Sequence, residues 1–135
     1  MGVTMSSPEI DLEMILANLP CYIYWTDRQG TIIGCNDLQA KSIGFSSRNE
    51  LIGSHLTDIN PQTYPNYTLT INQQIIESGK PHIAKKPIQQ SDGSEAVRLL
   101  HKIPLKDKTD QIIGVLGVSF DVAEMQKQAT PLIHE

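Results

Sequence analysis

The sequence holds only two cysteines in 135 residues, Cys21 and Cys35. A chain of this length buries about two thirds of its unfolded surface and needs no disulfide staple. If a hairpin between the two turns at Arg28 and Gln29, they lie nearly opposite. A cytosolic compartment keeps thiols reduced, so two buried structural thiols are expected rather than a disulfide. No apolar run is long enough to span a bilayer. The first residues, MGVTMSSPE, lack the basic region and apolar core of a signal peptide. A cytoplasmic chain with no direct membrane contact is the expectation. Positive charge is not in excess either. Lys and Arg number 11 against 15 Asp and Glu, for a net charge of −4. That argues against a nucleic-acid partner, which needs a basic patch.

Catalytic signatures are missing too. The chain contains no G-x-x-x-x-G-K, no G-x-S-x-G and no H-E-x-x-H. His55, His82, His101 and His134 are scattered, and none has metal-ligand spacing to another His or Cys. Asp58 and Asp121 have no evident acid–base partner. Neither an enzyme nor a metal site is expected.

What is present is a globular composition, 39% hydrophobic, with clear element signals. Residues 22–36, YIYWTDRQGTIIGCN, read as a β-hairpin. Residues 22–26 are aromatic or β-branched, and residues 27–30 supply turn chemistry, with Gly30 suited to positive φ. Asn36 ends the return strand and caps a helix, with Gln39 placed for a capping box. Upstream, residues 6–19 read as a helix opened by Ser6, Ser7, Pro8 and Glu9. Ile10, Met14 and Ala17 form one row of it, Ile15 and Leu19 another, and Leu12 and Leu16 widen the apolar surface. The sheet, a partner chain or both must cover so broad a stripe.

After the hairpin, a short helix over 37–43 closes at Gly44. Ser47 and Glu50 form a second capping box for a helix that stops at Gly53. Residues 54–61 form a loop with at most one helical turn. A longer helix follows, with Pro65 in its first turn and Tyr67, Ile71 and Ile75 four residues apart. Tyr64 and Ile76 lie near the same face, and Gly79 and Pro81 end the helix. The rest is β. A strand over 82–89 contains Pro87, which implies an edge or a bulge. Ser91, Asp92, Gly93 and Ser94 make a turn. On the next strand, 95–105, Val97, Leu99, His101, Ile103 and Leu105 share one face, and Ala96, Arg98, Leu100 and Lys102 the other. The last strand covers 111–122, where Gly114 and Gly117 imply close backbone or ligand approach, or strong curvature. Two strands, then helices, then three strands predict an α+β fold, its antiparallel sheet covered by helices on one side.

The hairpin also carries a family resemblance. The sequence T-D-x-x-G-x-I, the strand ending at Asn36 and the continuation GCNDLQAKSIGFSSRNELIG resemble the opening of PAS domains, especially those upstream of bacterial sensor histidine kinases. The resemblance runs from about Ile15 to Glu124. It implies the PAS fold, a five-stranded antiparallel sheet in the order second, first, fifth, fourth, third, with a flanking N-terminal helix. It divides the chain into that helix at 1–20, the PAS domain at 21–124 and the start of a signalling helix or linker at 125–135. In such domains the flanking helix often crosses the outer sheet face. A homodimer through the helix and that face is implied; a helix packed only on its own core is the other reading. The stretch Phe120-Asp121-Val122-Ala123-Glu124 resembles the D-I-T-E exit motif, which makes Asp121 and Glu124 the signal exit. Ala123 stands where the family has Thr and removes a hydroxyl cap.

The function implied is that of a cytoplasmic sensory module in a bacterial signal-transduction protein, a sensor histidine kinase. It would sense a small molecule and relay a conformational change to an output domain on the same chain. Kinase motifs are absent here, so that activity would belong to the output domain. A ligand-free dimerisation or docking module is the alternative, and a haem or flavin redox sensor a weaker one. Flavin photosensors of the family place Cys directly after the Asn, where this chain has Asp37. Haem-binding members use a His on the longer helix, and residues 67–78 contain none. Both cofactors are disfavoured and no other is assigned, which leaves a small organic ligand. Tyr64 and Tyr67 each bring an apolar ring with a polar tip, suited to a pocket or to helix–sheet packing. Arg98 would bind an acidic ligand if its face points inward, and is otherwise a surface or salt-bridge residue. His101 is either a pocket donor or a core histidine with a satisfied partner.

Overall fold

A computed structural model describes residues 9–59, 67–90 and 92–128. Ser6, Ser7, Pro8, Tyr64, Pro65, Ser91 and Pro131 lie outside the described residues. Five strands form one antiparallel sheet: β1 (Tyr22–Asp27), β2 (Ile32–Cys35), β3 (His82–Gln89), β4 (Glu95–Lys106) and β5 (Ile112–Asp121). Their spatial order is β2-β1-β5-β4-β3, the order the sequence implied. The helices are α1 (Leu12–Asn18), α2 (Asp37–Ser42), α3 (Arg48–Leu51), α4 (Tyr67–Ser78) and α5 (Val122–Gln128), with a 3-10 turn at Leu56–Asp58. β3 lies at the sheet edge, where Pro87 forfeits no bond to a further strand.

The hairpin is held by local side-chain bonds. Asp27 Oδ1 accepts from the amides of Gln29 at 2.9 Å and Thr31 at 3.0 Å, and Gly30 takes φ +93°. A bulge between Trp25 and Thr26 then sets the register, so that Tyr24 stands opposite Cys35. Cys21 therefore does not face Cys35, contrary to the simple turn expected from sequence. Both cysteines are buried free thiols. Asn36 caps α2 as expected, accepting from Gln39 N at 3.0 Å. The Asn36 amide itself donates to the Ile23 carbonyl at 3.1 Å, joining the cap to β1.

Two other expected starts differ. α1 begins only after Asp11, whose Oδ1 accepts from Met14 N at 2.8 Å, so Ile10 precedes the helix. Ser47 makes no side-chain cap for α3. Asp37 Oδ1 takes the Arg48 amide at 2.8 Å in its place, and Glu50 bonds the Ser46 hydroxyl. α1 is tethered to this end of the molecule by the Arg48–Glu13 ion pair at 3.0 Å, and none of its residues is buried.

The apolar interior falls into two clusters. One joins Tyr24, Ile32, Cys35, Ala40, Leu51, Leu56 and Ile59 beneath β1 and β2. The other joins Ile75 and Ile76 of α4 to Val115 of β5. β1 and β5 approach so closely that a Cβ on Gly114 would lie 1.8 Å from the Thr26 carbonyl oxygen. Backbone approach therefore explains that glycine.

Candidate functional site

Pleating decides which side chains of β3 and β4 face the helices. On β4 it turns Arg98, Leu100 and Lys102 toward α4, and leaves Val97 and His101 exposed on the opposite face. The inward residues wall a cavity of about 80 Å³ between the sheet, α2 and α4. Register places His82 opposite Lys102, Ala84 opposite Leu100 and Lys86 opposite Arg98, and all of them line the cavity. Arg98 is 3% exposed and Lys102 6%. No acidic side chain is among the described residues lining the cavity. Facing cations on a buried surface repel one another, and such pairs destabilise a sheet.

The electrostatics follow from this crowding. Burial, and after it the charge on Lys86, pulls the Lys102 ammonium down to about 8. Lys102 Nζ donates to Asn72 Oδ1 at a long 3.4 Å. Its neighbour on β5 is Gly117, which offers no side chain. Burial lowers His82 as well, followed by the charges on Lys86 and Lys102, and so favours the neutral ring. His82 Nε2 and Asn72 Nδ2 are buried and make no hydrogen bond among the described residues. Lys86 Nζ lies 4.4 Å from the centroid of Tyr67, a cation–π contact at the start of α4.

Arg98 is differently placed. Its guanidinium sits 3.6 Å from the centroid of Tyr22, and Nη2 donates to Gln90 Oε1 at 3.5 Å. Across the β4–β5 ladder it stands opposite Asp121. Asp121 Oδ1 in turn accepts from Glu124 N at 3.2 Å, in the first turn of α5. One residue of the cavity wall is thus the cross-strand neighbour of the carboxylate that caps the last described helix.

Of the residues singled out from sequence, Tyr67 and Arg98 line the cavity, and Tyr64 lies outside the described residues. His101 is a correction: it is exposed on the far face of β4 and neither donates into the cavity nor sits in the core. Strand alternation makes this unavoidable once Arg98 and Lys102 point inward. Sequence reasoning missed Lys102, His82, Lys86 and Asn72 as site residues. The sign was there in part, since Lys102 shares the face of Arg98.

The cavity wall offers donors and cations but no cysteine. Cys35 is pushed up to about 11 by burial and by Asp37, with Arg48 opposing, and its thiol contacts the Arg48 carbonyl at 3.9 Å. Gln39 lines the cavity from α2. Tyr24 covers the floor over Gly117, where a Cβ would lie 2.6 Å from the ring. Among the described residues, no group of three or more His, Cys, Asp or Glu could hold a metal ion. Nor is any described helix long and apolar enough to cross a membrane.

The family model described as the PAS fold matches residues 16–127. The chain belongs to the PAS-fold family, and its class is that of PAS sensory domains, which as a family are non-catalytic modules. No curated protein matches it. Among solved structures, a Vibrio cholerae VqmA dimer in the absence of target DNA is similar at 20% identity and TM-score 0.76, covering 84% of this chain and 53% of that one. VqmA bound to DPO is similar at 20% identity and TM-score 0.75, covering 84% and 58%. The PAS domain of Bordetella pertussis BvgS is similar at 18% identity and TM-score 0.63, covering 86% of each chain. The chain spans about half the length of the VqmA chains it matches. At these identities the likeness is one of fold.

Proposed function

We propose that this chain is the ligand-binding sensory module of a longer cytoplasmic signal-transduction protein. Residues 21–124 form the sensor, 1–20 a flanking dimerisation segment that carries α1, and 125–135 the start of the link to an output domain on the same chain. The observation that carries this reading is the cavity on the inner sheet face, which sets buried Arg98 and Lys102 among apolar side chains. The alternative, a ligand-free docking module, needs Tyr67, Ile71 and Ile75 to fill that space. Tyr67 is 50% exposed, and Ile75 packs with Ile76 and Val115.

The proposed relay runs from the cavity to α5. A ligand that shifts the Arg98 guanidinium changes the field at Asp121, and with it the cap on Glu124. It drives the switch only by binding one packing better than the other. Attachment to a histidine kinase follows from the sequence resemblance. A DNA-binding output is the second reading, favoured by the VqmA structures, one bearing on DNA binding by LuxR-type receptors and another a complex with ligand and DNA.

Native mass spectrometry of the freshly purified protein beside a denatured sample tests the binding claim. An extra mass lost on denaturation is the expected result. An apo protein that also binds no compound from a metabolite panel would overturn the sensory reading in favour of docking.

A further inference from the structure

The described residues supply this cavity with unmatched positive character at one particular place. Arg98 has Asp121 across the ladder and the Tyr22 ring beneath it. Lys102 has Gly117 on one side and His82 on the other, neither of them an anion. Around it stand two further polar atoms, His82 Nε2 and Asn72 Nδ2, both buried without a hydrogen-bond partner among the described residues. Buried donors left in this state cost stability, and the fold retains both beside a buried ammonium. An anion that accepts from Lys102 and His82, the two of these that line the cavity, matches both the donors and the charge. The rest of the wall mixes apolar side chains, Ile43, Ile71, Leu100 and Val118 among them, with the neutral polar groups of Gln39, Thr68 and Ser119.

We propose that the cavity binds a small organic carboxylate with a short apolar body, its oxygens held by Lys102 Nζ and His82 Nε2–H, with Asn72 Oδ1 steadying the ammonium from α4. This rests on the sensory reading and names its ligand class. A carboxylate has the two oxygens and four lone-pair sites to take these two donors together. The volume, about 80 Å³, suits a molecule of a few heavy atoms beyond the carboxylate. Lys86 and Arg98 stand opposite each other two inward-facing pairs further along and add long-range attraction, so the site favours negative charge before any contact forms.

The charge state of Lys102 gives the binding its own signature. The charged or titratable groups facing it from the packed elements are His82 and Lys86 of β3 and Arg98 of β4; α4 contributes Asn72 and Tyr67, and α2 contributes Gln39. With its ordinary ionisation depressed to about 8, Lys102 is part-neutral near that pH, and an arriving carboxylate stabilises the ammonium. Binding near pH 8 should draw in up to roughly half a proton per site.

The test uses the full chain and the carboxylates from acetate to hexanoate with benzoate, each beside its neutral amide. Isothermal calorimetry near pH 8 in buffers of different ionisation enthalpy reads affinity and proton uptake. At least one carboxylate should bind tenfold or more tightly than its amide, with proton uptake. Lys102→Met should weaken it tenfold or more while far-UV circular dichroism stays unchanged. Lys102→Arg should retain binding but lose the uptake. Amides binding as tightly as carboxylates, or carboxylate affinity unchanged in Lys102→Met, would overturn the carboxylate class and leave the sensory reading intact. If neither series binds but native mass spectrometry still shows a retained mass, the class again fails alone. If neither series binds and no mass is retained, both fail.

Discussion

Lys102 is the residue at which stability and the proposed binding oppose one another. It holds an ammonium inside a cavity beside His82 and Lys86 with no carboxylate among the described lining. Its ionisation falls to about 8 in the folded chain from 10.5 in the open one. Between those values the unfolded chain holds a proton that the folded chain has shed. Stability from this group therefore rises with pH through that window, by about 3 kcal/mol in all, and the full penalty is present below pH 8. Replacing Lys102 by Met should raise the unfolding free energy at pH 7 by roughly 1–3 kcal/mol. The gain should shrink toward zero by pH 10. Urea titrations of both proteins across that range measure it; a gap that stays constant with pH would contradict the buried-cation account.

At the scale of elements, Asn36 ties the hairpin to the helical side. Its side chain accepts from Gln39 N at 3.0 Å and Ile23 N at 3.3 Å, and donates to the Cys21 carbonyl at 2.8 Å. Asn36→Ala leaves buried backbone groups of three segments without these partners, and should cost about 2–4 kcal/mol by chemical denaturation. A loss under half that would show that the cap is dispensable. This junction was legible in the sequence, because an Asn between a β-branched run and a helical run has one economical place to stand. So were β3, the glycine stops of α2 to α4 and the strand order, the last through the family resemblance. The start of α1 was not, since Ser6 and Asp11 both offer an oxygen and only packing chooses. The inward face of β4 was not either. Its more apolar side reads as the buried one, yet α4 and α2 cover the side bearing Arg98 and Lys102. The burial of two cations on the cavity side overrides the hydrophobic pattern, and the misreading of His101 has the same cause.

The whole molecule leaves apolar surface on two sides. On and just before α1, Ile10, Leu12, Met14 and Ile15 are exposed, and on the outer sheet face so are Ile83, Val97 and Ile113. VqmA is described as a dimer, and the proposal for this chain is that these surfaces meet a second copy. Leu12→Glu with Ile15→Glu should convert a dimer to a monomer by light scattering, while thermal unfolding of the domain changes little, since α1 buries no residue of its own. An unchanged oligomer would place the interface elsewhere.

The central claim is that occupancy of the cavity alters the exit helix. Amide hydrogen exchange of the full chain tests it most directly. The chain is compared with and without the small molecule retained on purification or, failing one, the tightest-binding carboxylate. Protection should change both along β3 and β4 and at Val122–Gln128, and Asp121→Ala should abolish the second change while sparing the first. Protection that changes around the cavity and leaves α5 unaltered would contradict the relay, and the chain would then bind without reporting.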